Sequence, residues 1–205
     1  MKSKTKGYLF ILAAFTGLIA FSSCHKNNNT TPQLSSTPLY DTLGWFIQGA
    51  TGQVGGNGIK MIDDPDNSGQ KIQAGRLAIR TVVNKALGVI AGDPKLAQYF
   101  PVLLSEVNAG NTTGLAKLSG TFTDFVQQAA SGQKVYKGLS MIAAHNHATN
   151  SRFGSDAHPR ADSTDFNQFI GDIVQAAQSL NVPNSVIGQL GAALYSTEGD
   201  VVQDK

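Results

Sequence analysis

The chain has 205 residues, 41% of them apolar, which suits one domain, or one domain with a tail, with a real core. Its single cysteine, Cys24, excludes an intrachain disulfide, a Cys-rich zinc site and an iron–sulfur cluster. With 16 Lys and Arg against 14 Asp and Glu, and no basic run beyond the first six residues, nothing points to nucleic-acid binding.

Lys2, Lys4 and Lys6 precede an uncharged apolar stretch at residues 7–21. It is too short for a helix that must cross a hydrocarbon layer, which takes roughly 20 residues, so residues 1–23 read as an export signal. Phe21-Ser22-Ser23-Cys24 resembles the lipobox of bacterial lipoproteins. That resemblance implies removal of residues 1–23 and a lipid on Cys24 that anchors the chain to the cell envelope. No acidic residue directly follows Cys24, which favours the outer membrane. The removed segment holds three lysines and no acid, so the mature chain carries −1 rather than +2. The polar stretch after Cys24, up to Thr37, reads as a disordered tether in which His25 is solvated.

Residues 38–205 form the domain, and their apolar periodicity is helical nearly throughout. Thr37 and Pro38 open a short helix carrying Leu39, Leu43 and Phe46. Residues 49–75 read as a long loop or hairpin excursion, Gly-rich first and then acidic. An amphipathic helix follows at 77–91, with Ile79, Val82, Val83, Ala86, Leu87 and Ile90 on one stripe. Asp93 caps, and Pro94 begins, a short helix ending in Leu96, Tyr99 and Phe100. Leu115, Leu118, Phe122, Phe125, Val126 and Ala129 recur at steps of three and four, giving a helix at 111–131 that stops at Gly132. A shorter helical piece is expected at 136–145, then a polar loop at 146–162. Ser163 is expected to cap a helix carrying Phe166, Phe169, Ile170, Ile173, Val174, Ala177 and Leu180. A last helix after Pro183 carries Val186, Ile187, Leu190 and Leu194. The fold class is all-α.

Asp64, Asp66, Ser68 and Gly69 resemble the first half of a calcium loop, but the position of the usual bidentate Glu falls on Gly75, so an Asx-rich turn is the better reading. The glycines at 52–58 lack the Gly-Lys-Ser/Thr of a phosphate loop. His145 and His147 are two apart, about 200° on a helix, and cannot share one helical face. In a loop they could form a zinc or copper site with His158 and Asp156 or Asp162. No Ser-His-Asp or Cys-His pair is recognisable. His145 alone, spaced from Met141 and Tyr136 by four and nine residues and flanked by helices rich in Phe, Leu and Ile, has what haem iron needs: one neutral imidazole beside a dry slot. A hydrogen-bonded structural histidine fits the same pattern.

Three segments resemble the group I truncated haemoglobins: residues 38–44 (Pro-Leu-Tyr-Asp-Thr-Leu-Gly), 78–83 (Ala-Ile-Arg-Thr-Val-Val) and 93–100 (Asp-Pro-Lys-Leu-Ala-Gln-Tyr-Phe). Tyr136-x-Gly138-x-x-Met141-x-x-x-His145 resembles the approach to that family's iron-ligating histidine, and Asn181-Val182-Pro183 the junction of its last two helices. The similarity spans about residues 38–200, interrupted at roughly 46–73 and 146–162.

The resemblance implies a two-over-two helical sandwich binding haem b. His145 becomes the iron ligand, Phe100 packs on the porphyrin, and Tyr136 and Met141 lie near the proximal wall. The opposite, distal wall falls on Leu87, Leu118 and Phe122, with no hydrogen-bond donor where many members carry a tyrosine. Thr121 and Thr123 lie about 100° off that stripe. The ligand implied is dioxygen or another diatomic gas. Catalysis such as nitric oxide dioxygenation is not expected, since no electron source is visible and any reductant is unidentified. The insertion at 146–162 brings Arg152, His158 and Arg160 as candidates to meet the haem propionates. The alternative is a haem-free lipoprotein that uses the fold as a binding or scaffold module.

Overall fold

Why the chain turns where it does is clearest in its caps and prolines. The computed structural model describes residues 37–49, 57–153 and 159–204, so Cys24, His25, Asp156 and His158 lie outside the described residues, as do the segment expected as an export signal and the one expected as a tether, Thr37 excepted. Thr37 accepts from the Tyr40 N–H, and Pro38 takes the first position of α1 (Pro38–Ile47). Its orphan amide is thereby answered and its missing donor costs nothing.

Two three-residue strands, β1 (Met61–Asp63) and β2 (Lys71–Gln73), pair antiparallel with Ile62 opposite Ile72. The excursion is therefore a hairpin. Its turn is an Asx turn, as the sequence suggested: Asp64 accepts from the Asp66 N–H at 2.9 Å and the Asn67 side chain at 3.0 Å, and Gly69 sits at φ +78. Arg80, from α2 (Ala74–Gly92), grips both oxygens of Asp64 at 2.6 and 3.0 Å and holds its carboxyl well below the usual carboxylate range. The half calcium loop is thus a hairpin clamp.

Asp93 caps α3 (Pro94–Ala97) by accepting from the Lys95 N–H at 2.8 Å. A further helix, α4 (Pro101–Asn108), follows where none was expected, with Phe100 as its N-cap residue. The long helix α5 (Thr113–Ser131) ends as expected on Gly132 in the left-handed conformation, φ +70. The helix expected over 136–145 shrinks to α6 (Met141–Ala144). Residues 132–140 are non-helical because the Tyr136 ring folds over Gly138, where a Cβ would meet it at 2.5 Å, and its hydroxyl donates to the Leu139 carbonyl at 2.6 Å.

A 3₁₀ turn (Ser151–Phe153) lies in the insertion. Asp162, not Ser163, caps α7 (Ser163–Ser179), because Asp165 at the third helical position completes a reciprocal capping box with it. Next come α8 (Asn184–Tyr195) and α9 (Glu198–Val201), the latter not anticipated.

The helices form two layers of two. α2 packs on α5 and α7 on α8, while α2 against α7 and α5 against α8 join the layers. This all-α arrangement is the one the sequence led us to expect. The larger core cluster runs from Tyr40 and Leu43 through Ala78, Ile79, Val82 and Val83 to Val126 and Val186. A second cluster unites Phe166, Ile170, Leu194 and Val202, and Phe122 and Phe125 pack against both. Among the described residues, no helix is long and apolar enough to cross a membrane.

Candidate functional site

Ser140 starts α6 by accepting the Ala143 N–H at 3.2 Å, and the helix lasts one turn before His145 takes its C-cap position. There the Met141 carbonyl meets the His145 backbone N–H at 3.1 Å and the His145 Nδ1 at 2.8 Å. The second contact fixes the tautomer: Nδ1 carries the proton and donates, and Nε2 keeps its lone pair. Burial also pushes the imidazole pKa below its ordinary value, partly opposed by the Met141 carbonyl. A neutral ring with Nδ1 occupied by a backbone carbonyl is the form in which histidine ligates a metal through Nε2.

Tyr136 is half-buried. Its ring meets Phe125 of α5 edge-on, centroids 5.6 Å apart at 79°, and its N–H donates to Gln128 at 3.3 Å. Burial raises its pKa, so the phenol stays protonated. Tyr136 therefore ties the approach to His145 onto α5. Phe125, counted in the sequence only as core, is the residue that receives it.

The insertion closes the other end of α6. Asn150 donates to the Ala144 carbonyl at 2.6 Å, and Arg152, two residues on, pairs with both oxygens of Glu106 on α4 at 2.6 and 2.7 Å. The chain after His145 is thus a strut from α6 to the helix that Phe100 caps. Arg152, a candidate for the propionates, is committed to Glu106. Arg160 is exposed, and Tyr99 reaches its carbonyl at 3.5 Å. Phe100 itself is half-buried, placed by α3, whose neighbour Tyr99 donates to Asp165 of α7 at 2.6 Å while Lys95 lies 3.4 Å from the same carboxylate.

On the other two helices, Leu87 and Phe122 meet at the large core cluster, and Leu118 lies one turn before Phe122 on α5, half-buried. Phe122 also approaches Phe169 of α7, centroids 6.0 Å apart. None of the three carries a donor. The threonines do not replace one: Thr121 donates to the Lys117 carbonyl at 2.8 Å. Thr123 is fully buried and its hydroxyl finds no partner among the described residues, but it belongs to the stripe Ser119, Thr123, Gln127. That stripe faces α2, because Ser119 bonds Asn84 at 2.5 Å and Gln127 bonds Arg76 at 2.6 Å.

His147 stacks on Phe153, centroids 4.2 Å apart at 16°. Among the described residues no three His, Cys, Asp or Glu side chains could hold a metal ion together, and His158 and Asp156 of the expected zinc or copper site lie outside the described residues.

No protein-family profile matches the chain, and no curated protein does. One solved structure that resembles it is a truncated hemoglobin from Tetrahymena pyriformis, a tyrosine-to-phenylalanine variant in the Fe(III) form. The two are 18% identical, with a TM-score of 0.48 over 62% of this chain and 91% of that one. A likeness at this level decides nothing about the chemistry of this chain, which is carried by its own residues.

Proposed function

We propose that this chain is a haem-binding, truncated-haemoglobin-like lipoprotein, anchored by a lipid on Cys24 to the bacterial cell envelope, whose iron ligand is His145. The observation that carries the proposal is the 2.8 Å contact between His145 Nδ1 and the Met141 carbonyl on a half-buried imidazole whose pKa is lowered by desolvation. It leaves Nε2 as the one basic nitrogen of the ring. Haem b, when bound, supplies an iron able to take up a diatomic gas such as dioxygen. The Met141 carbonyl would orient the ligating imidazole, Tyr136 would hold the segment before it against α5, and Phe100 would offer an aromatic face to the macrocycle. Leu87, Leu118 and Phe122 would form an apolar wall that excludes water and offers a gas no hydrogen bond.

Mature chain reconstituted with haemin is expected to show a Soret band that disappears in His145→Ala. The packing of Leu87 and Phe122 against the core favours the second reading, a haem-free binding or scaffold module, and colourless wild-type protein would overturn the haem reading in its favour.

A further inference from the structure

The segment that joins α5 to α6 and the first turn of α6 carry two large aliphatic side chains in water: Leu139 is 59% and Ile142 61% exposed. It is a formed surface, since Tyr136 holds the Leu139 carbonyl and Ser140 caps α6. Lys134 and Lys137 precede them in the same stretch of chain, exposed and paired with no carboxylate among the described residues. The chain from residue 125 to 155 contains no Asp or Glu at all, against Lys134, Lys137 and Arg152. α9, which bears Glu198 and Asp200, packs on α6 yet leaves Ile142 uncovered.

The position of this patch is set by a second observation. Thr37, the first described residue, donates its hydroxyl to the Ala130 carbonyl at 2.5 Å, in the last turn of α5. The chain coming from Cys24 therefore enters the domain beside the end of α5, and the aliphatic and basic side chains leave from that same end. The 12 residues between Cys24 and Thr37 reach about 45 Å at full stretch. A lipid on Cys24 keeps a bilayer within that distance of the patch.

We propose that this face, with Leu139 and Ile142 as its apolar contacts and Lys134 and Lys137 as its cationic ones, rests on an anionic lipid surface. Aliphatic side chains at the acyl boundary with lysines at the headgroups is the arrangement by which interfacial segments bind. The docked face contains α6, so the membrane covers the His145 side of the domain. This rests on the lipid-anchor reading of Cys24, which the mass of the amino-terminal peptide checks separately on the same sample.

The test is amide exchange of the full chain, reconstituted into phosphatidylethanolamine/phosphatidylglycerol vesicles or into phosphatidylcholine vesicles. Exchange over residues 133–145 is expected to slow about tenfold in the anionic vesicles only, with α2 and α7 unchanged. Leu139→Ser with Ile142→Ser is expected to abolish the protection, and so is Lys134→Gln with Lys137→Gln, with α2 and α7 again unchanged as the check of folding. The same slowing on a chain whose peptide mass shows no lipid supports the surface without the anchor. Equal exchange in both vesicles, protection insensitive to either variant, or protection that rises with protein density and so reports a second copy, overturns the proposal.

Discussion

The Met141 carbonyl accepts from the imidazole of His145, Nδ1 to oxygen 2.8 Å, one helical turn further along. This single bond connects the short helix to the chemistry, because it settles which nitrogen is basic and which way the ring can turn.

Burial of His145 makes the folded state prefer the neutral ring, so its folded pKa lies below the unfolded one. The stability it contributes is present above the unfolded value, about 6.5, and is lost as pH falls towards and through the folded value. In urea unfolding of the haem-free protein, wild type is expected to lose more stability between pH 7.5 and 5 than His145→Gln does. Equal losses would mean that the imidazole titrates as if in water.

Asp172 of α7 gives the opposite slope. It is 3% exposed, takes one hydrogen bond from Gln168 at 3.1 Å, and leaves its second oxygen without a partner. Burial, with Asp93 adding to it, raises its pKa. A raised carboxyl pKa contributes stability that is fully present below the unfolded value and fades as pH climbs through the folded one. Asp172→Asn is expected to be as stable as wild type, or more so, at pH 8, and to lack that component of the pH dependence. A variant that is much less stable at pH 8 would show that the charged form has a partner.

Gly75 opens α2 beneath the Tyr40 ring, and a Cβ there would lie 2.6 Å from it. Tyr40 is fully buried and hydrogen-bonded to Gln73 at 2.7 Å, so it has little room to retreat. Gly75→Ala is expected to cost about 2 kcal/mol of unfolding free energy, measured by denaturant titration. A loss below about 0.5 kcal/mol would contradict this packing.

With no donor on Leu87, Leu118 or Phe122, the proposed distal wall predicts that dioxygen binds weakly relative to carbon monoxide. Leu87→Tyr adds a donor at the position where the resembled family carries one, and a net hydrogen bond of about 1 kcal/mol is worth roughly fivefold. Dioxygen dissociation is expected to slow by about that factor, while carbon monoxide changes less, as stopped-flow displacement would show. An unchanged ratio would place Leu87 away from the gas.

The sequence made the long helices plain. The stripe Ile79, Val82, Val83, Ala86, Ile90 is buried as its spacing requires, and so are Phe166, Ile170 and Ala177. These patterns extend over about three turns each, long enough for the period to outweigh local chemistry. Where elements are one or two turns long, local chemistry decides. α4 is eight residues and shows too few repeats to read. The helical spacing of Tyr136, Met141 and His145 suggested one continuous helix, but the packing of Tyr136 over Gly138 interrupts it. At the start of α7 two good capping residues stand side by side, and only the reciprocal bond with Asp165 chooses Asp162.

The candidate site shows the same division. His145 stood out as a lone imidazole near apolar helices, whereas its bond to Met141 depends on α6 ending at Ala144. Arg152 looked available in the sequence because Glu106 lies 46 residues away, and only the fold brings them together.

The most direct test of His145 as the iron ligand is imidazole rescue, followed by optical absorption of the reconstituted mature chain in ferric and ferrous forms. Wild type is expected to give a Soret band without added imidazole. His145→Gly is expected to lose it and to regain it when free imidazole enters the vacated space. A wild-type protein that takes up no haemin, or a His145→Gly variant with an unaltered spectrum, would contradict the account.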